Sequence, residues 1–499
     1  MTDTQQIPLS SSPPLTSVHL VTLGCARNEV DSEELAARLE AGGFRLVDDP
    51  EQAEAVMVNT CGFVEQAKKD SVDTLLAAAD LKDSGSAKAV VAVGCMAERY
   101  GNELAETLPE ADAVLGFDDY ADVADKLNRI LHGDQHISHV PRDRRELLPL
   151  TPAARHEAAA GVAVPGHHSE LVLHSAPDLP LGIAPATGPR VLRRRLGSGP
   201  SAPLKLASGC DRRCAFCAIP AFRGSYLSRP ADEVLAEARW LAEQGVKEVF
   251  LVSENTSSYG KDLADLRSLE KLLGQLSAVD GLDWIRVSYL QPAELRPSLV
   301  EAMVGTDKVV PYFDISFQHA APGVLRRMRR FGDPDSFLAL LEQVRRGAPQ
   351  AGIRSNVIAG FPGETEAEVQ TLADFLTEAR LDVLGVFGYS VEEGTEAASM
   401  DGQVEPEEVE RRRAMLADLA AELMDQRAEE RVGEQVQVLV ESTDEGEVVG
   451  RARHQGPEVD GVTTLVADWA PGAEPQVADL VDAVVEASEG IDLVARPLR

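Results

Sequence analysis

The hydrophobic pattern divides the chain into three stretches of different rhythm. In the first, three short apolar runs each end at a cysteine: "VHLVTLGC" at Cys25, "EAVMVNTC" at Cys61 and "AVVAVGC" at Cys95. Uninterrupted apolar runs of this length fit strands buried on both faces. A helical pattern follows each one. After Cys25 comes "NEVDSEELAARLEAGG", with Asp31 or Ser32 as the expected N-cap, acids in the first turn and Gly42–Gly43 as the stop. "FVEQAKKDSVDTLLAAADL" follows Cys61, and "MAERYGNELAETL" follows Cys95. This alternation predicts an open parallel α/β sheet over residues 17–135. Ligands of such sheets bind beyond the carboxyl ends of the strands, and all three cysteines stand at that edge.

The rhythm breaks over residues 136–195, which are rich in Pro, Ala, Gly and His, as in "TPAARHEAAAGVAVPGHHSE". They read as a linker or mobile insertion, with His167–His168 solvated. Alternation resumes over 196–430. "VLAEARWLAEQGVKEVFLVSE" is a helix, a Gly stop and a strand, and "IRVSYL", "YFDISF", "IRSNVIAG" and "VLGVFGYS" are later strands. They predict a full or partial parallel βα barrel with its active site at the carboxyl-end mouth. A long helix opens at Pro406. Beyond it "EQVQVLVE", "GEVVGRAR" and "TTLVADW" predict a small β-barrel over 431–499.

Composition adds bounds. A chain of 499 residues suits about three domains. No run approaches the roughly 18 apolar residues of a membrane span. The polar start "MTDTQQIPLSSSPPLTS" lacks the basic and apolar regions of a signal peptide. A cytoplasmic protein with reduced thiols is expected. The net charge of −34 argues against broad nucleic-acid binding and suits a basic partner or simply a solvated acidic surface.

The cysteines carry the chemistry. Three are spread over the strand ends; Cys210, Cys214 and Cys217 crowd into "GCDRRCAFC", a loop after the strand "APLKLAS". Structural zinc takes four ligands, and an iron–sulfur cubane usually takes four thiolates. Each set of three therefore leaves one iron of a cubane open for another ligand. A rival arrangement is one four-cysteine zinc site with two thiols left over, although no His or fourth Cys follows Cys217 at zinc spacing. Near the mouth, "GFPGET" offers Gly360 and Gly363 for close backbone approach, ahead of a helix N-terminus. Gln318–His319 ends the strand "YFDISF" at the same mouth. Arg326, Arg327, Arg329 and Arg330 are either a solvated helix face or a counter-charge to an anionic ligand.

"CDRRCAFC" resembles the C-x3-C-x2-C signature of radical S-adenosylmethionine (SAM) enzymes. The resemblance implies that the amino and carboxylate groups of SAM occupy the fourth iron. It places Phe216 against the adenine and Gln318, Gly360, Gly363 and Glu364 among the cofactor contacts. "LGCARNEVDSE", "NTCGFVEQAKKDSV" and "VGCMAERYGNEL" resemble the N-terminal domain of methylthiotransferases, and the C-terminal barrel resembles a TRAM domain. Within that family, "GCARNEVDSE" and "GPEVDG" are similar to the branch that modifies ribosomal protein S12; the tRNA branch usually has Gln-Met where this chain has Ala26–Arg27.

The resemblance implies two [4Fe-4S] clusters, one on Cys25, Cys61 and Cys95 and one on the catalytic set Cys210, Cys214 and Cys217. SAM would serve as radical source and methyl donor, and a methylthio group would go to the β-carbon of an aspartate in S12, free or on the small subunit. It also implies an electron donor such as flavodoxin or ferredoxin, a sulfur source, a monomer, no membrane, and nucleic acid only indirectly. The alternatives are a tRNA adenosine methylthiotransferase and a zinc-stabilised, non-redox scaffold. The chain departs from the family at Glu254–Asn255–Thr256, where Gln-Asp-Thr is usual, and at Ser208, where Glu is frequent. Residues 431–499 hold five Arg, no Lys and fourteen acids. That balance suits a basic ribosomal protein, with Glu458 and Asp460 expected to face it.

Overall fold

The computed structural model describes residues 15–151, 154–159, 162–165, 193–457, 459–469 and 474–498; His167, His168 and Glu458 lie outside them. The first domain runs β1 (Ser17–Thr22), α1 (Ala26–Ala41), β2 (Arg45–Leu46), β3 (Ala55–Thr60), α2 (Glu65–Ser84), β4 (Ala89–Val93), α3 (Gly94–Thr107), β5 (Ala113–Val114) and α4 (Val123–Leu131). Its parallel sheet has the order β2-β1-β3-β4-β5. β3 and β4 are buried along their whole length, as their unbroken apolar runs require. The three cysteine-bearing strands, β1, β3 and β4, are neighbours.

α1 begins five residues before the expected cap. Cys25 takes the N-cap position, and Asp31, Ser32, Glu33 and Glu34 are buried inside the helix. The acids are counter-ions, not dipole partners. Asp31 pairs with Lys205 at 2.7 Å and Arg223 at 2.8 Å, and Glu33 pairs with Arg193. Burial pushes the Asp31 carboxyl up, but Lys205 and Arg223 outweigh it and hold it below the usual range. This polar helix face is the seam between the first domain and the barrel.

The barrel strands are β6 (Ser201–Lys205), the short ladder β7 (Ala207–Ser208) with β8 (Leu227–Ser228), then β9 (Glu248–Val252), β10 (Trp284–Val287), β11 (Tyr312–Asp314), β12 (Gly352–Ala359) and β13 (Val383–Gly388). The sheets β10-β9-β6 and β11-β12-β13 are parallel, and the bridges Ile285–Val309 and Leu290–Ile315 carry the pairing between them. The result is a partial barrel around a core that includes Leu204, Leu251, Ile285, Phe313 and Ile353. Described parts of 136–195 are packed against both units. Buried Arg144 pairs with Glu98 at 2.9 Å, and the Pro165 carbonyl accepts from Lys205 and Ser208, each at 2.8 Å. Among the described residues no helix is long and apolar enough to cross a membrane.

The long helix Pro406–Glu429 leads to a closed barrel of β14 (Gln435–Ser442), β15 (Val448–Ala452), β16 (Thr463–Leu465), β17 (Leu480–Glu489) and β18 (Asp492–Pro497). It sits under the amino ends of the central strands, opposite the mouth. Glu248, the first residue of β9, pairs with Arg286 at 2.6 Å and with Arg451. Burial raises the Glu248 carboxyl, yet Arg286 and Arg451 pull it down to about 2. Asp460, expected to face a partner, is buried instead: it accepts from Tyr312 and pairs with Arg354 at 3.2 Å. A carboxylate taken out of water needs such partners, and the foot of β11 and β12 supplies them.

Candidate functional site

The spread-out cysteines are brought together by close backbone packing at three adjacent strand ends. Gly24 has φ +94°, and a Cβ there would lie 3.0 Å from the Cβ of Cys61. Gly62 lies against Cys95–Met96, where a Cβ would come within 2.9 Å of the Met96 nitrogen. Buried Asn28 ties the ends together. Its Nδ2 donates to the carbonyls of Leu23 (2.9 Å) and Thr60 (3.1 Å), and its Oδ1 accepts from Arg223 Nη2 at 2.7 Å. The same Arg223 nitrogen lies 3.0 Å from Cys95 Sγ. A cation from the barrel domain thus reaches into the first domain's thiol set.

The clustered cysteines sit on a loop that leaves β7 at Gly209. Its φ is +79°, and a Cβ would lie 2.3 Å from the Ser225 carbonyl oxygen, so the turn requires glycine. Asp211 braces the loop by accepting from the Tyr226 amide at 3.0 Å and Arg155 at 2.6 Å. Ala215 donates to the Met328 carbonyl, and half-buried Phe216 packs beside Met328 and Phe361. The helix of the arginine cluster ends at Arg327, and beyond it buried Arg330 places Nη1 3.7 Å from Cys214 Sγ. An open cavity of about 540 Å³, rimmed by Arg212, Arg213, Arg329 and Glu396, reaches Cys214 and Cys217 from outside.

The two sets meet at Arg27, Glu254 and Tyr289. Arg27 donates to the Ser253 carbonyl at 3.2 Å, and its guanidinium stands 5.0 Å from the centre of the Tyr289 ring. Its charge is felt by both Cys25 and Cys217. Glu254, two residues beyond β9, stands between Arg27 (3.8 Å) and Arg223 (3.9 Å); its side chain is 2% exposed and neither oxygen has a hydrogen-bond donor. The thiols respond to these surroundings. Burial opposes the Cys25 thiolate, but Arg27 and Arg223 prevail and lower its affinity for the proton. Burial pushes Cys95 up to about 11 and, with the neighbouring Cys214, Cys217 up to about 12. Burial and its neighbours Cys217 and Cys214 raise Cys210 as well. Thiolates in such places need a bound cation, and loading one releases protons.

The remaining predicted residues divide. Gln318 stands half-buried at the mouth in the left-handed region, φ +69°, as does Tyr289 at +59°. Such backbone persists only where the surroundings hold it. His319 is buried: its Nδ1 accepts from the Ala321 amide at 2.9 Å, which leaves the proton on Nε2 facing Glu364 at 3.1 Å. Glu364, expected as a cofactor contact, is turned inward. Its oxygens are taken by His319, the Gly360 amide (2.8 Å) and Arg412 (2.9 Å), because the buried histidine and arginine need a partner there. Gly360 and Gly363 have φ +77° and +75°; a Cβ at 360 would come within 2.7 Å of Val409. Their first duty is the turn itself.

The chemistry of the site fits the clusters and SAM. Each set offers three thiols and no fourth, and the unsatisfied Glu254 carboxylate offers an acceptor for an ammonium group beside the loop. Among the described residues no three His, Cys, Asp or Glu side chains converge closely enough for a single metal ion. A cubane instead takes each thiolate on a separate iron.

Comparison with known proteins gives the same picture. Residues 17–116 match the model described as "Uncharacterized protein family UPF0004", 204–376 the radical SAM superfamily and 432–498 the TRAM domain. The chain is 66% identical to the ribosomal protein uS12 methylthiotransferase RimO of Cutibacterium acnes, over 98% of this chain and 99% of that protein. The RimO of Kineococcus radiotolerans is 65% identical, over 97% of each chain. The chain belongs to the RimO family. Its fold is also similar to that of the radical SAM methyltransferase TsrM from Kitasatospora setae, with a TM-score of 0.50, 16% identity and 75% of each chain covered. The two cysteine sets were visible in the sequence from their spacing. Asn28, Arg223 and Glu254 carried no such signal, apart from the unusual "SENT" stretch at Glu254.

Proposed function

We propose that the chain transfers a methylthio group to the β-carbon of an aspartate in ribosomal protein uS12, the substrate named for its relatives. The observation that supports this best is two three-thiol sets lined by cations, with Arg223 3.0 Å from Cys95 Sγ, Arg330 3.7 Å from Cys214 Sγ, and Arg27 and Arg223 flanking Glu254 between them. Cys25, Cys61 and Cys95 would hold one [4Fe-4S] cluster and Cys210, Cys214 and Cys217 the other. Glu254 would take the ammonium group of SAM, and Phe216 and Gln318 would border it. When bound, these groups supply the radical hydrogen abstraction, the sulfur and the methyl group. The chain's own part is placement. Arg223 and Arg27 offset the charge of the Cys25 set; Arg330 does so at Cys214; Tyr289 and Ala215 close the walls. An electron donor such as flavodoxin or ferredoxin would approach through the cavity at Cys214 and Cys217. Two of the five arginines of the C-terminal barrel, Arg431 and Arg451, are buried in ion pairs, which leaves its surface acidic and favours a basic protein over RNA.

Mass spectrometry of uS12 and bulk tRNA from a strain lacking this gene tests the reading. Loss of the mass of one methylthio group from uS12, with tRNA unchanged, is expected. Loss from a tRNA adenosine instead would reject it.

A further inference from the structure

Abstraction from an aspartate β-carbon demands that a short, freely rotating side chain present one hydrogen. The carboxylate next to that carbon is the only strong handle on it. An anchor must be a cation with donors to spare, fixed in direction, at the point where the two thiol sets meet. Three buried or half-buried arginines stand near that point. Arg223 is committed to Asp31, Asn28 and Cys95. Arg330 is committed to the Ser316 carbonyl and Cys214. Arg27 is not. It bonds the Ser253 carbonyl through Nη1 and touches Cys25, while Nε finds no acceptor, since Glu254 stands off at 3.8 Å. Its side chain is 13% exposed, so the guanidinium is not sealed in. Tyr289 fixes its plane, and Tyr289 is itself held, its amide donating to Asp314 at 2.9 Å.

We propose that Arg27 binds the carboxylate of the substrate aspartate and so selects a protein side chain over a nucleobase. The assignment rests on the protein-aspartate reading above. A guanidinium offers paired parallel donors that match a carboxylate, and such bonds are stronger than neutral ones. The edge of an adenosine offers no anion to match. Arg27 is thus a specificity residue for the transfer, two positions after a cluster cysteine on the first turn of α1.

The test compares two peptides, a uS12 segment with its target aspartate and the same segment with asparagine there. Each is labelled and titrated by fluorescence anisotropy against the full, anaerobically loaded chain. The wild type should bind the aspartate peptide about 10- to 100-fold more tightly, the range of a hydrogen-bonded charge pair. In Arg27→Gln the two peptides should bind within about twofold of each other, and Arg27→Lys should fall between. Equal affinities in the wild type, or an unchanged ratio in Arg27→Gln, would overturn the assignment. If Arg27→Gln loads about half the iron, the wild-type comparison and Arg27→Lys decide. Failure of the underlying reading looks different: mass spectrometry would then show uS12 unmodified by the wild type, whatever the two affinities.

Discussion

The ionic seam between the first domain and the barrel makes a measurable demand. Asp31 is 1% exposed and accepts two charged donors, from Lys205 at 2.7 Å and Arg223 at 2.8 Å. Asp31→Asn keeps the shape and removes the charge, leaving two buried cations facing an amide. Breaking a buried pair in this way costs about 3–5 kcal/mol. The lower end applies here, because Lys205 keeps the Pro165 carbonyl at 2.8 Å and Arg223 keeps Asn28 at 2.7 Å. About 3 kcal/mol is roughly a 100-fold rise in the population of opened seams. Trypsin reads that population at Lys205 and Arg223, which are 0% and 7% exposed in the closed form. Cleavage at these two bonds should accelerate by about two orders of magnitude in Asp31→Asn, while cleavage at exposed Arg213 stays constant. Adding Lys205→Met should recover part of the loss, since an uncompensated charge is the larger cost. Unaltered cleavage in Asp31→Asn would refute the counter-ion account of α1.

Further outcomes follow from other sites. Changing Cys25, Cys61 and Cys95 together to Ala should halve the iron from about eight atoms per chain, with SAM cleavage still measurable by chromatography. Loss of cleavage while the Cys210 set stays loaded would contradict the division between the sets. Glu248 lies at about 2 against a usual value near 4.5, so its ion pairs favour the folded state by about 3 kcal/mol above pH ~4.5 and lose that as pH falls toward 2. In the apoprotein, Glu248→Gln should flatten this acid dependence, followed by unfolding at graded pH. Asp460→Ala should loosen the C-terminal barrel, seen as a lower first melting transition, because Tyr312 and Arg354 lose their shared acceptor.

β3 and β4 were legible because strands buried on both faces leave no polar break, and the cysteines because each follows an apolar run or sits at tight spacing; β1, before Cys25, is half-exposed despite its apolar run. α1 was misread for a physical reason. Its acids look like residues that complement a helix dipole, yet their partners Lys205 and Arg223 lie about 170 and 190 positions away, beyond any local pattern. Asn28 and Glu254 are single polar residues that become parts of a site only when the two domains close. Asp460 and Glu364 looked like surface or ligand acids, and both are internal braces. Single carboxylates carry no mark of which side of the surface they will occupy, whereas periodic apolar positions do.

The small C-terminal barrel is bolted to the feet of the central strands, among them β6, which leads through β7 into the Cys210 loop. Strands of five residues advance about 3.3 Å per residue, so roughly 17 Å of sheet separates the two ends, before loops are added. A short peptide filling the mouth would therefore leave the lower barrel untouched, and only a partner longer than that separation could engage both. On the proposals above, the chain would measure its substrate with two gauges, one reading a single side chain and the other the size and charge of what that side chain is attached to. A peptide that reacts well but gains nothing from the lower barrel, beside an intact subunit that does, would let the two readings be taken separately.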